Sequence, residues 1–152
     1  MRIGVFGYNF KHWKTRRGLE NLLYAGFKPA VVLAANKKKL NIRKAKIRTA
    51  PKGLFLTHPK DVCEYHQIDY HVTPHDTKDT ISLIQEYDLD LGIILGARIL
   101  PKETIDAFKL GVINLHPGVL PENRGLDTIK WAICGDLSQG VTAHFVDEKI
   151  DR

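Results

Sequence analysis

An open, mostly parallel α/β sheet flanked by helices is the fold class this chain predicts, on three observations. Short apolar runs alternate with segments of helical spacing along the whole sequence. The run at residues 91–95 is continuously apolar, as a central strand covered on both faces requires. The run at residues 112–115 ends in Asn114, His116, Pro117 and Gly118, and strand ends of this kind are where open α/β sheets hold ligands. With 152 residues and no internal repeat or low-complexity linker, residues 1–152 read as one domain with a proper core.

The elements follow in order. Residues 3–6 form a first apolar run closed by Gly7; after a polar loop, Leu19, Leu22, Leu23 and Phe27 recur at helical spacing. Pro29 opens a second run over residues 30–35, completing a βαβ unit for which a right-handed parallel crossover is expected. Residues 59–67 and 77–87 read as helices around a short strand at 68–72, with Asp76 or Thr77 placed to cap the second. Pro101 suits the first turn of a short helix reaching Phe108. Residues 126–134 form another helix, which Gly135 is placed to end. Finally, Val141, Ala143 and Phe145 alternate with Thr142, His144 and Val146, giving a last strand that runs into Asp147 and a loop to Asp151.

Composition narrows the function classes. No apolar stretch approaches the roughly 20 residues of a membrane span, and the start at residues 1–7 is too quickly interrupted for a signal peptide. Cys63 and Cys134 lie far apart without Cys-x-x-Cys spacing, so neither a metal site nor a disulfide scaffold is expected, and a cytoplasmic location fits. The net charge of +6 is uneven: Lys37, Lys38, Lys39, Arg43, Lys44, Lys46, Arg48 and Lys52 occur with no acid among them. Two readings stand for this block, a solvated loop or a surface for the phosphates of a nucleotide, an RNA or an anionic surface. It contains no aromatic residue, which weighs against single-stranded nucleic acid.

Because side chains alternate along a strand, Asn114 and His116 emerge on one face and Leu115 on the other. A carboxylate from the final loop, Asp147 or Asp151, can orient the imidazole and favour its protonated form, while the carboxamide donates to an oxygen gaining negative charge. Such a set suits transfer of an acyl group to an amine, with His144 as a further member. The alternative is an Asn and a His that only hydrogen-bond the loop after the strand. The first loop, residues 8–18, carries Lys11, His12, Lys14, Arg16 and Arg17 ahead of a helix, where anions bind; a solvated surface turn is the other reading. Gly4, Gly7 and Gly18 do not make a Gly-x-Gly-x-x-Gly spacing and no Gly-Lys-Ser/Thr follows, so nicotinamide and nucleoside triphosphate use are disfavoured.

Two motifs carry a family resemblance. Residues 111–125, Gly-Val-Ile-Asn-Leu-His-Pro-Gly-Val-Leu-Pro-Glu-Asn-Arg-Gly, and residues 140–151, Gly-Val-Thr-Ala-His-Phe-Val-Asp-Glu-Lys-Ile-Asp, together resemble the formyltransferases that use 10-formyltetrahydrofolate. The resemblance covers chiefly residues 90–151 and implies a Rossmann-like sheet, 10-formyltetrahydrofolate as co-substrate, and a catalytic set of Asn114, His116 and Asp151. It implies further that His144 matches a histidine common in the second motif, that the stretch containing Arg98, Ile99 and Leu100 holds the pterin by its backbone, and that the loop from Asp147 forms another wall.

Two departures from the family pattern shape the substrate expectation. The first loop, with Tyr8, Asn9 and Phe10, lacks the small glycine-rich phosphate loop of glycinamide ribonucleotide enzymes, so a small-molecule amine on a nucleotide-linked sugar is the first expectation. Asn9, Lys11, Lys14 and His144 are then its candidate contacts. Methionyl-tRNA formylation, favoured by the basic block but weakened by the lack of an RNA-binding domain, is the alternative enzyme; glycinamide ribonucleotide formylation, a hydrolase releasing formate and a non-catalytic folate- or nucleotide-binding module complete the set. Members also continue past the second motif with a strand and helix, so the chain reads as truncated, with weak or absent activity expected of it alone.

Overall fold

Alternation of buried strand and amphipathic helix gives eleven elements in the computed structural model, which describes residues 1–39 and 57–147. In order they are β1 (Ile3–Tyr8), α1 (Trp13–Tyr24), β2 (Val31–Ala35), α2 (Pro59–Tyr65), β3 (Asp69–Val72), α3 (Lys78–Glu86), β4 (Leu91–Ile94), α4 (Lys102–Asp106), β5 (Val112–His116), α5 (Thr128–Gly135) and β6 (Thr142–Phe145). The strands form one sheet in the order β3-β2-β1-β4-β5-β6, parallel throughout except for β6, which runs antiparallel to β5. This is the expected open α/β sheet. The chain builds outward from β1 to β3 and then crosses back to β4, so the reversal of strand order lies at β1, where such sheets open a crevice at the carboxyl ends.

The two faces of the sheet divide the core by the two-residue period of the strands. Phe6, Val31, Leu33, Ile94 and Val112 pack with Ile84, Leu89, Ile105 and Phe108 on the side of α3 and α4. Ile3, Val5, Val32, Ala34 and Leu95 pack with Leu19, Cys63 and Ile68 on the side of α1 and α2. Cys63 is a buried thiol in that second layer, and Cys134 is exposed. Among the described residues, no helix is long and apolar enough to cross a membrane.

Four local expectations change. Helix α1 begins at Trp13, so Lys14, Arg16 and Arg17 belong to its first turns and not to a loop; His12 caps it, its side chain accepting from the Thr15 N–H. Thr77 stands at the start of α3 but makes no side-chain cap, because its hydroxyl donates to the Pro74 carbonyl at 3.1 Å. Gly135 is the last residue of α5, and the left-handed position that ends the helix is Asp136. On β4, Gly92 and Ile94 are buried while Leu91 and Ile93 are half-buried, so coverage is fuller on the α3 and α4 side. Arg43, Lys44, Lys46, Arg48, Lys52 and Asp151 lie outside the described residues.

Candidate active site

Strand β5 ends where its polar pair begins. Asn114 sits in register with His144 on β6, and its Nδ2 donates to the imidazole Nε2 at 3.4 Å. His144 Nδ1 lies 3.1 Å from the Phe145 carbonyl, which can only accept, so Nδ1 carries the hydrogen and Nε2 is left to receive from Asn114. Two positions on, His116 is buried, and its Nε2 lies 2.8 Å from the Asn123 carbonyl. By the same argument Nε2 of His116 holds its hydrogen, and proton exchange is confined to Nδ1. The His116 and His144 rings stand 6.5 Å apart between centroids. The strand alternation therefore does bring Asn114, His116 and His144 together.

The loop after β5 is folded over His116 by its own sequence. Pro117 stops sheet pairing, and at Gly118 a Cβ would fall 2.5 Å from the Asn123 oxygen and 3.1 Å from His116 Nε2, so only glycine fits that approach. Thr142 of β6 staples the loop: its hydroxyl donates to the Gly118 carbonyl at 2.8 Å and accepts from the Leu120 N–H at 3.1 Å. Asn123 Nδ2 donates to the Thr128 carbonyl at 2.9 Å, and the Thr128 hydroxyl donates to the Pro117 carbonyl. The histidine is thus held from both the loop and the neighbouring strand.

On the other side of the crevice, α1 approaches the strand ends. Thr15 is buried, with its hydroxyl 3.2 Å from the Leu95 carbonyl, and Lys14 Nζ donates to the Leu115 carbonyl between the two site residues at 2.9 Å. Burial, and secondarily the Lys14 charge, push the His12 imidazole below its usual range, which keeps it neutral and able to cap α1 as an acceptor. Beyond this helix start, a cavity of about 520 Å³ opens over the ends of β1, β2 and β3; Tyr8, Phe10, His12, Lys37, Arg98 and Ile99 are among its lining.

The remaining candidates separate. Arg98 and Ile99 are exposed at this cavity, whereas the Leu100 side chain is buried in the core, leaving only its backbone to meet a ligand. Asp147 is exposed just past β6. Asn9 is tied into the fold: its Nδ2 donates to Asn36 Oδ1 at 2.7 Å and its Oδ1 accepts from the Tyr70 hydroxyl at 3.0 Å, joining the ends of β1, β2 and β3. Lys11 is exposed and does not line the cavity. Sequence reasoning overlooked Asn123 and Thr142, which hold the site, and the aromatic wall of Tyr8, Phe10 and His12. The signal for the wall was three rings at every second position, beginning at the last residue of a strand.

Comparisons with known proteins agree with the fold. The family model described as formyl transferase matches residues 1–152. A methionyl-tRNA formyltransferase of Bacteroides fragilis is 36% identical over 89 residues, which cover 57% of this chain and 27% of that protein. The match thus spans about a quarter of the length of that relative. Among solved structures, a phosphoribosylglycinamide formyltransferase from Anaplasma phagocytophilum superposes with a TM-score of 0.71 at 21% identity, covering 99% of this chain and 67% of that one. A sugar N-formyltransferase from a Shewanella species superposes at 0.58 and 17% identity, covering 99% and 53%. At these identities the two structures attest the fold.

Proposed function

This chain belongs to the formyl transferase family, and from that premise we propose that it moves a formyl group from 10-formyltetrahydrofolate to a primary amine on a nucleotide-linked amino sugar. The observation that carries the reading is the placement of Asn114 and buried His116 at the end of β5, with His144 opposite Asn114. The segment after β4 suits the folate in one respect: the Leu100 side chain is turned into the core, which leaves its backbone to meet a flat ring. The folate supplies the activated formyl carbon.

The residues then divide the work. Asn114 Nδ2 already donates within the site, at the long distance of 3.4 Å, and turns from His144 to the formyl oxygen as that oxygen gains negative charge. His116, with Nε2 fixed on the Asn123 carbonyl, carries a proton on Nδ1, lends it to the same oxygen as the tetrahedral intermediate forms and takes it back as the carbonyl re-forms. The amine nitrogen forms the new C–N bond, the bond from the formyl carbon to the folate nitrogen breaks, and the proton lost by the amine passes to that folate nitrogen. Asp151, outside the described residues, is assigned to favouring the charged form of the His116 imidazole and to assisting that proton transfer. Binding donor and acceptor together at the carboxyl ends of the strands lowers the entropic cost of their encounter.

Incubation with 10-formyltetrahydrofolate and, separately, nucleotide-linked amino sugars, glycinamide ribonucleotide and methionyl-tRNA tests the reading by mass spectrometry of the amine. Formylation of an amino-sugar nucleotide that disappears in His116→Ala is expected. Near-normal turnover by His116→Ala sinks the mechanism. Formylation of methionyl-tRNA alone replaces the substrate with the second reading, which the similarity to the Bacteroides fragilis enzyme and the bases from Lys37 onward favour.

A further inference from the structure

The sheet comes apart at one peptide, and the side chain that meets it there takes no part in the formyl-transfer steps. Along β5 the backbone groups turn alternately to the two neighbouring strands. The Val146 N–H donates to the Val112 carbonyl at 2.8 Å, so Val112, Asn114 and His116 face β6, while Gly111, Ile113 and Leu115 face β4. The Gly111 carbonyl accordingly accepts from the Gly92 N–H at 3.0 Å. Steps of two along both strands continue this parallel ladder until Gly96 is due to donate to the Leu115 carbonyl. It does not: the N–H groups of Leu95 and Gly96 both donate to the Phe6 carbonyl, at 2.9 Å and 3.0 Å, which turns the chain onto β1. The ladder between β4 and β5 therefore stops short of the Leu115–His116 peptide.

Lys14 supplies the donor that β4 withdraws. Its Nζ donates to the Leu115 carbonyl at 2.9 Å. That reach depends on α1 lying close over the end of β4. At Gly18, one helical turn after Lys14 and on the same face, a Cβ would stand 2.4 Å from a methyl carbon of Leu95, and the Thr15 hydroxyl lies 3.2 Å from the Leu95 carbonyl. Helix and strand end are thus fixed to each other, and the half-buried Lys14 side chain reaches β5 from a rigid base. An ammonium on a carbonyl makes a charge-assisted hydrogen bond, stronger than the neutral one it replaces.

We propose that Lys14 is a positioning residue: it closes the ladder that Gly96 leaves open and so fixes the peptide between the two side chains that act on the formyl group. The inference rests on the formyl-transfer reading for what is positioned, and gives Lys14 a task other than touching the substrate. Asn114 and His116 must aim at one oxygen from positions two residues apart, and the backbone between them sets their relative direction. On the β6 side that stretch is paired, Asn114 with His144 and His116 with Thr142. On the β4 side the ammonium stands in for a strand. A slender aliphatic stem fills far less room than a strand does, so the end of β5 is held and the opening beside it stays available to the reactants.

Lys14→Met, which keeps the stem and removes the donor, and Lys14→Arg, which keeps both, separate positioning from binding. In the formyl-transfer assay Lys14→Met is expected to lower kcat about tenfold or more. The KM values for 10-formyltetrahydrofolate and the amine should change less than about twofold, and Lys14→Arg should recover most of the kcat. NMR of the His116 imidazole and the Asn114 carboxamide reads the same hold without turnover: sharp signals in the parent and in Lys14→Arg, and microsecond-to-millisecond exchange broadening in Lys14→Met. The inference is overturned if Lys14→Met keeps its kcat within about twofold of the parent, if its loss falls on the KM of the amine, which marks a substrate contact, or if Lys14→Arg loses as much as Lys14→Met. A parent protein that formylates no amine removes the formyl-transfer reading and leaves the spectra to decide. Broadening in Lys14→Met that Lys14→Arg abolishes then supports the hold on β5, and unbroadened signals in Lys14→Met overturn it in either case.

Discussion

The interior of the sheet and its β5–β6 edge are built on opposite terms. Strand β1 is buried from Ile3 through Gly7 and β2 from Val31 through Ala34, with helices on both faces. At the edge, β6 alternates half-buried and exposed residues, and only Thr128 and Ala132 of α5 are buried, while Trp131, Ile133 and Phe145 are exposed. The polar site residues Asn114, His116 and His144 all belong to this edge pair. Stability and chemistry therefore rest on different strands, and substitutions should separate them.

The largest contrast is in folding free energy. Phe6 is fully buried, with edge-on contacts to the His75 and Phe108 rings, so Phe6→Ala is expected to cost about 3–5 kcal/mol, a large fraction of the stability of a typical domain. Phe145→Ala on the edge should stay within about 0.5 kcal/mol, as surface substitutions do. Urea denaturation of the two variants measures both, and equal losses would erase the distinction between the regions.

The reverse contrast is in catalysis. Asn114→Ala removes one donor aimed at the developing oxyanion, and formyl transfer is expected to fall by about 10²–10³ in kcat. Because Asn114 is only half-buried and its hydrogen bond to His144 is long, the melting temperature should barely move. A variant that melts early while keeping its turnover would place Asn114 among the structural residues.

How far these regions were legible in the sequence follows from the same difference. Strands β1 and β2 are apolar on both faces, so their composition alone declares them. The start of α1 was hidden because Lys14, Arg16 and Arg17 look like loop residues and its cap is a histidine, His12, outside the usual capping set. At the edge, two-residue alternation placed Asn114 and His116 on one face, but alternation carries no direction. The antiparallel register that sets His144 against Asn114 is a tertiary fact. So is the Asn123 carbonyl on His116, which depends on where a loop returns and not on the local pattern.

Between the regions lies the Thr142 staple, which belongs to the edge strand but holds the loop over His116. Thr142→Val keeps the shape and strands the Leu120 N–H and the Gly118 carbonyl, for an expected loss of about 1–2 kcal/mol. The kcat should fall with it while Thr142→Ser restores both, because serine supplies the same hydroxyl. Loss of stability without loss of turnover would show that the loop need not be held for His116 to act.

The smallest expected effect is confined to the interior and to acid pH. His75 is buried, with its ring edge-on to Phe6 and its Nε2 3.0 Å from the Leu33 carbonyl. Burial holds its pKa below the usual 6.5 or so, against the upward pull of the Leu33 and Gly7 hydrogen bonds and of Asp76. The folded state thus resists a proton that the unfolded chain accepts. Above about pH 6.5 the ring is neutral in both states and contributes no pH dependence. As pH falls through that value the unfolded chain is protonated first, so stability drops until the pH passes the lowered folded pKa, below which the contribution is again flat. His12 is shifted in the same direction and adds to the slope. Melting temperatures between pH 8 and pH 5 should therefore fall less steeply in His75→Gln than in the parent protein, with a constant offset above about pH 6.5. Parallel curves throughout that range would show that the buried ring takes up its proton as readily in the fold as outside it.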